Sequence, residues 1–278
     1  MNETGDGFNV GQFIAGAIAR LLDDGAVAVL ATLVEAPPPH NAGAKLLFNS
    51  SGELMTGGTS DAALDARIAH RARLFLNSRV EAQTFNVEEF APELAAEWRG
   101  ARVMFERIEN EPRIVVCGAG HVGASLARLA HAIGYRVTLI DDRADFVARA
   151  RFPETEIELV AATEGWTRAV RDAVGKGRGV SVAVVTRGHN EDEECLRAVI
   201  AARPDYVGMI GSKRRTNIVL ERLRETGIAE EVLREVRAPV GLDIGAVSPE
   251  EVALAILAEI VAGRRGGTGA PLSEWRRK

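Results

Sequence analysis

Aromatic residues are scarce in this chain of 278 residues, where Phe, Trp and Tyr together make up 5% of the sequence. Proteins that bind single-stranded nucleic acid stack bases on aromatic side chains, and those that bind duplexes carry excess positive charge. This chain instead has a formal net charge of −5. The composition therefore argues against a DNA or RNA partner.

Long apolar runs are also missing. The longest, residues 26–34, falls far short of the roughly 20 residues that a transmembrane helix requires. Segment 1–9 is polar and acidic with no basic start, so we do not interpret it as a signal peptide. A hydrophobic content of 46% with 26% charged residues is typical of a globular protein. We expect a cytoplasmic protein with no membrane partner.

Cysteine is limited to Cys117 and Cys195. Because neither C-x-x-C nor H-x-x-x-H occurs, the spacings of common structural zinc sites are absent, and we predict no protein-bound metal. The G-x-S-x-G nucleophile elbow is absent too, and we assign no catalytic residue. Free thiols are a simpler interpretation of the two cysteines than a disulfide.

The first 110 residues predict a small α+β domain. A helical apolar stripe over 13–22 stops at Gly25, and a second helix is expected to begin at Ser60 or Asp61. Patterns typical of strands lie at 26–34, 44–48, 53–56, 82–87 and 102–108. Residues 109–112 resemble a linker.

Residues 111–278 follow a different pattern, in which strands alternate with helices. Strands are predicted at 114–117, 136–140, 157–160, 180–185 and 206–210. This alternation is typical of a parallel, doubly wound, Rossmann-like sheet. The fold class is therefore α/β with a smaller N-terminal α+β domain. The last helix should start at Ser248, because Pro249 and Glu251 complete a capping box.

A glycine motif follows the first of these strands. In the sequence G-A-G-H-V-G, Gly118 permits a tight turn, Gly120 lets the backbone approach a ligand, and Gly123 lets the helix pack near the sheet. The free N–H groups of the helix start attract phosphate. We therefore predict that this loop, with His121 and Val122, binds a phosphate-bearing, nucleotide-like ligand.

Three more polar groups follow strand ends. Because ligands of open parallel sheets bind outside the carboxyl ends of the strands, all should face one crevice with the glycine motif. They are Asp141, Asp142 and Arg143; Arg187, Gly188 and His189; and Gly211, Ser212, Lys213, Arg214 and Arg215.

Each group has two interpretations. Asp141 either accepts hydrogen bonds from a ribose diol, which favours NAD over NADP, or it organises a turn. His121 contacts either the backbone or an oxo or phosphate group, and His189 either binds ligand or caps a helix. The charge run at Lys213 and Arg214 either captures phosphate or is a solvated helix face.

Together these motifs resemble the XdhC/CoxI accessory proteins, the molybdenum cofactor chaperones of xanthine dehydrogenase-type enzymes. The family's most distinctive element resembles A-P-V-G-L-D-I-G-A-V-S-P-E-E-V at 238–252. The others are the stretches 118–123, 141–153, 186–192 and 210–215.

The resemblance implies an XdhC/CoxI-like domain over 1–110 and an XdhC Rossmann domain over 111–278. It also implies a chaperone rather than a catalyst, one that binds molybdopterin or its dinucleotide form. Its partners would be a cysteine desulfurase, which sulfurates the cofactor, and an apo-molybdoenzyme of the xanthine dehydrogenase type. A homodimer is implied as well. The alternatives are an NAD-dependent oxidoreductase and a nucleotide-sensing Rossmann module.

Two N-terminal elements depart from the family pattern. Family members carry a G-S-x-P-R loop followed by G-A-x-M, where this chain has P-P-P-H-N-A-G-A-K at 37–45. They also carry G-G-C-x-E, where this chain has G-G-T-S-D at 57–61. The cysteine of the second element is therefore absent. Cys117 can replace it only if its side chain reaches the crevice.

Overall fold

The computed structural model describes residues 7–78 and 80–273. The chain divides into two compact units, Met1–Asn110 and Glu111–Lys278. Residues 1–6 lie outside the described residues. They begin the segment 1–9 that we do not interpret as a signal peptide. Within the described part of the chain, no helix combines the length and apolar character needed to cross a bilayer.

The first unit is built around an antiparallel five-stranded sheet. Its strands are β1 (Ala28–Glu35), β2 (Lys45–Phe48), β3 (Leu54–Gly57), β4 (Ala82–Asn86) and β5 (Arg102–Ile108). They are arranged in the order β3-β2-β1-β5-β4. Each strand lies within two residues of its predicted position, which confirms the α+β interpretation of this half.

Helices α1 (Gly7–Asp23) and α2 (Ala62–Leu76) cover opposite faces of this sheet, and α3 (Val87–Phe90) follows β4. Side chains alternate between the two faces of a strand. Accordingly, Val29 of β1 packs in the α2 cluster and Leu30 in the α1 cluster. Of the two predicted caps of α2, Asp61 is the one used, because its carboxylate accepts from the N–H groups of Ala63 and Leu64.

The second unit contains a parallel five-stranded sheet. Its strands are β6 (Arg113–Cys117), β7 (Arg136–Asp141), β8 (Glu158–Ala161), β9 (Val180–Val184) and β10 (Tyr206–Met209), arranged in the order β10-β9-β6-β7-β8. All neighbouring pairs are parallel. Strands β7 and β8 extend the sheet on one side of β6, whereas β9 and β10 extend it on the other. The boundary between β6 and β9 is therefore a topological switch point. The predicted Rossmann-like sheet is confirmed.

Helices cover both faces of the parallel sheet. Helices α4 (His121–Ala132) and α9 (Pro249–Arg265) contribute to one core, while α5 (Trp166–Val174), α6 (His189–Ala202), α7 (Lys213–Glu225) and α8 (Glu230–Glu235) contribute to the other. Along β6 the residues again alternate, so that Val116 faces the first core and Cys117 the second. The capping box at Ser248 is present as predicted.

A backbone pairing at the edge of this sheet was not predicted from sequence, and neither were the short helices α3 and α8. After α8, the chain runs beside the edge strand β10, where Arg237 N–H donates to the carbonyl of Val207 at 2.9 Å and Met209 N–H donates to the carbonyl of Arg237 at 2.8 Å. These bonds satisfy backbone groups that an edge strand otherwise leaves unpaired.

Candidate functional site

The loops that follow β6, β7, β9 and β10 surround a cavity of about 460 Å³. Most residues that we predicted from sequence line it. They are Gly118, Gly120, His121, Val122, Asp141, Asp142, Arg143 and Gly211. The cavity therefore lies where parallel sheets bind ligands, at the carboxyl ends of the strands.

The glycine loop has the geometry that its spacing predicts. Gly118 has a φ of +112°, which L-residues rarely adopt, and a Cβ on Gly123 would lie 1.8 Å from the carbonyl oxygen of Gly118. A Cβ on Gly120, in contrast, would meet no atom within 4 Å. The space above Gly120 is thus open for a ligand. The first turn of α4, with exposed His121, adjoins this space.

Asp141 lies at the base of the crevice and is only 1% exposed. Its carboxylate accepts from Ala119 N–H at 2.7 Å and from the backbone and guanidinium of Arg143 at 2.9–3.0 Å. Burial alone would raise the pKa of Asp141, but these hydrogen bonds outweigh burial and hold the pKa below its ordinary value. Asp141 is therefore an ionised residue that organises the glycine loop.

Asp142 points to a different partner. Its carboxylate accepts from the two terminal nitrogens of Arg187, at 3.0 and 3.3 Å. Arg187 also lies 3.5 Å from Glu191, and all three residues line the cavity. The group is partly exposed, so it can exchange partners with a ligand at low cost.

A buried group behind the crevice was not singled out from sequence. Asp192 is fully buried and accepts from the hydroxyl of Thr186 and from Arg215 Nε, the latter at 2.6 Å. Arg215 Nη2 also donates to the carbonyl of Thr186 at 3.2 Å. The pair holds Arg215 at the cavity wall. The stretch T-R-G-H-N-E-D contains both Thr186 and Asp192, and is the only sequence signal that points to them.

The charge run after β10 is divided between the cavity wall and the solvent. Ser212 caps α7, since its hydroxyl oxygen accepts from Arg215 N–H at 3.2 Å. Ser212, Lys213 and Arg214 are exposed and do not line the cavity, whereas Arg215 does. Successive helical residues differ in direction by about 100°, so the run cannot turn all its charges inward.

Gly123 was also predicted as a site residue but does not line the cavity. Gly123 is a packing residue, because its Cα approaches the backbone of Gly118 too closely for any side chain. His189 begins α6. Its side chain lies outside the described part of the structure, so its contact with a ligand stays a prediction. The cavity lining also includes Trp166, Val185, Ile210 and Pro249, which add apolar surface.

The cysteines lie away from the crevice. Cys117 and Cys195 are free and have no exposed surface. Burial raises the pKa of the Cys195 thiol well above its ordinary value. Cys117 therefore does not replace the missing cysteine of the N-terminal element. Among the described residues, no group of three or more His, Cys, Asp or Glu side chains is placed to hold a metal ion.

In the first unit, the divergent stretch 57–61 forms a polar cluster. The hydroxyl of Thr59 donates to Asp65 at 2.6 Å, and the indole N–H of Trp98 donates to Asp61 at 3.0 Å. The ring of His40, from the other divergent stretch, stacks on Trp98 at a centroid distance of 4.0 Å. The two stretches therefore meet, although they depart from the family pattern.

The parallel sheet and the glycine loop together define a protein with a Rossmann-type domain. The family of XdhC Rossmann domains matches residues 114–260. Because this match covers more than half of the 278 residues, the chain belongs to the XdhC Rossmann domain family.

The chain is also similar to curated proteins. The chain is 32% identical over 171 residues to the uncharacterized protein YqeB of Escherichia coli (strain K12), covering 61% of this chain and 31% of YqeB. It is 28% identical over 167 residues to a probable xanthine dehydrogenase subunit of Bacillus subtilis (strain 168), covering 59% of this chain and 46% of that protein.

A third relative is the molybdenum cofactor insertion chaperone PaoD of Escherichia coli (strain K12). It is 33% identical over 84 residues, covering 30% of this chain and 26% of PaoD. The matched regions thus span less than half the length of these three relatives. A solved structure of a xanthine dehydrogenase from Bacillus halodurans has a TM-score of 0.49 and 16% identity, and the match covers 94% of this chain and 98% of that one.

Proposed function

We propose that this protein is a molybdenum cofactor-binding accessory protein that serves a molybdoenzyme of the xanthine dehydrogenase type. Family membership and the names of two relatives support this function. The observation that carries it is the glycine loop, where open space at Gly120 meets a helix N-terminus inside a crevice walled by arginines.

The proposed cargo is molybdopterin or its dinucleotide form. Its phosphate would lie at the N–H groups that begin α4, the usual place for an anion in this fold. Arg215 and Arg187 would supply guanidinium donors, which suit phosphate oxygens. His121 is placed to contact the pterin or its oxo groups. These residues would hold the cargo, and none of them is assigned a catalytic step.

The finer steps are part of the proposal. A cysteine desulfurase would sulfurate the bound cofactor, and an apo-molybdoenzyme would then receive it. We propose that residues 1–110 form the XdhC/CoxI-type domain, that the protein works as a homodimer, and that it is cytoplasmic. Because Thr59 occupies the position of the family cysteine, this domain would act without a thiolate from the element 57–61.

The decisive experiment measures cofactor retention. Full-length protein would be mixed anaerobically with molybdenum cofactor and separated by gel filtration, and pterin would be assayed by its fluorescence after oxidation. We expect pterin to elute with the protein and to resist competition by NAD. Arg215→Ala and His121→Ala should reduce retention.

Arg178→Ala is a matched control. Arg178 lies two residues before β9 and therefore at the amino end of the sheet, away from the crevice, where it pairs with Asp205 at 3.5 Å. This variant should retain pterin normally. An equal loss of pterin retention in Arg178→Ala and Arg215→Ala would mean that the crevice is not the cofactor-binding site. No retention by wild-type protein, together with binding of NAD, would favour an oxidoreductase or a nucleotide sensor.

A further inference from the structure

The carboxylate at the end of β7 occupies the position where Rossmann domains bind the ribose of a dinucleotide. A carboxylate there needs free acceptor positions for the two ribose hydroxyls. It offers about four positions in total, and all four on Asp141 are taken. One donor is Ala119 N–H, and the other three belong to the backbone and guanidinium of Arg143. A ribose diol would have to displace one of them.

Arg143 is also held from its other side. Its guanidinium carbon lies 3.4 Å from the ring centroid of Phe146, a cation–π contact that restrains the planar group. Releasing Arg143 from Asp141 would leave a carboxylate that is 2% exposed without its bidentate ion partner. Removing one member of a buried pair is strongly unfavourable. The pair is therefore a stable part of the crevice wall.

We propose that the Asp141–Arg143 pair closes the ribose subsite, so that the crevice accepts phosphate esters at the glycine loop and rejects the ribose diol of NAD. This inference rests on the proposed function only in taking the crevice as the ligand site. Of the two interpretations of Asp141 from sequence, it favours the one in which Asp141 organises a turn over the one in which it binds a ribose diol. The position of the acidic residue is the usual one, but its hydrogen-bonding capacity is already used within the chain.

Asp142 provides a comparison within the same loop. Its ion pair with Arg187 is exposed and in contact with solvent, so that this pair opens at little cost. Arg143 Nε also lies 3.8 Å from Asp142, whereas Asp141 accepts three hydrogen bonds from Arg143. The two carboxylates can therefore be separated by substitution.

The test compares NAD with its 2′,3′-dideoxy analogue, which lacks both hydroxyls on the adenosine ribose, by calorimetric titration of full-length protein. Wild-type protein should not distinguish the two ligands. Arg143→Ala should bind NAD at least tenfold more tightly than wild type, and at least tenfold more tightly than it binds the analogue. Hydrogen bonds to a charged acceptor are strong enough for this change. Arg143→Gln keeps more of the side-chain volume and serves if the alanine variant does not fold.

A second substitution, at Asp141 or at Asp142, shows which of the two carboxylates binds the ribose diol. In the Arg143→Ala background, Asp141→Asn should abolish the gain and Asp142→Asn should keep it. Diol-dependent NAD binding by wild-type protein would overturn the proposal. So would folded Arg143 variants that gain nothing, or a gain that survives Asp141→Asn. Since no pterin is used, the result is independent of whether the protein retains molybdenum cofactor.

Discussion

Alanine at two glycines of one loop should affect different properties, namely stability at Gly123 and ligand binding at Gly120. In Gly123→Ala, the new Cβ would lie 1.8 Å from the carbonyl oxygen of Gly118 and 2.9 Å from its carbon. Both atoms belong to the backbone, so the loop or helix α4 must shift. In Gly120→Ala, the new Cβ meets no atom within 4 Å, and the backbone at φ −67° and ψ −170° is extended and accessible to alanine.

The expected magnitudes follow from this geometry. Overpacking a tightly packed site costs about 1–3 kcal/mol, and the severity of the contact places Gly123→Ala at the upper end. For a unit of this size, that corresponds to a fall of roughly 4–10 °C in the unfolding temperature. Gly120→Ala should change the free energy of unfolding by less than about 0.5 kcal/mol. It should nevertheless lower pterin retention at least tenfold, because the methyl group fills the space proposed for phosphate.

The assay pairs thermal unfolding with cofactor retention on the same preparations. Two results would contradict this prediction: retention of pterin by Gly120→Ala at the wild-type level, or unfolding of Gly123→Ala at the wild-type temperature. The first result would mean that the ligand does not approach the backbone at Gly120. The second would mean that the loop yields at little cost to a residue larger than glycine.

Three further predictions concern buried or capping carboxylates. Asp192→Asn should lower the free energy of unfolding by about 2 kcal/mol and weaken pterin retention, because the amide lacks the negative charge that pairs with Arg215 and one of the two acceptor oxygens; a double-mutant cycle with Arg215→Ala should show coupling, and additive effects would contradict it. Asp61→Ala should cost about 1–2 kcal/mol in urea unfolding, since it removes both the cap of α2 and the acceptor of the Trp98 indole; an unchanged midpoint would contradict it. The pKa of Asp141 is depressed in the folded state, so its contribution to stability is present above about pH 4 and is lost as the pH falls through the folded pKa; the stability gap between wild type and Asp141→Asn should therefore narrow as the pH falls below about 4, and a gap that widens would contradict it.

Local patterns in the sequence were sufficient for much of the fold. The capping box at Ser248 and the turn at Gly118 were predictable because their partners lie within a few residues along the chain. The strands and their alternation with helices were predictable because burial follows the period of each element. Parallel strands share the same direction, so their carboxyl ends lie at one edge of the sheet. The glycine motif, Asp141 and Gly211 all follow such ends, and their position in one crevice was therefore predictable.

Tertiary structure decided how those residues are used. Asp141 has the sequence position of a ribose acceptor, yet the orientation of the Arg143 side chain consumes its hydrogen-bonding capacity. Arg215 rather than Lys213 lines the crevice, because its side chain donates to Asp192 of helix α6, a residue 23 positions earlier in the chain. Cys117 is likewise buried because helices cover both faces of the sheet. Each outcome depends on how side chains are oriented and packed in space, so spacing along the chain alone could not determine it.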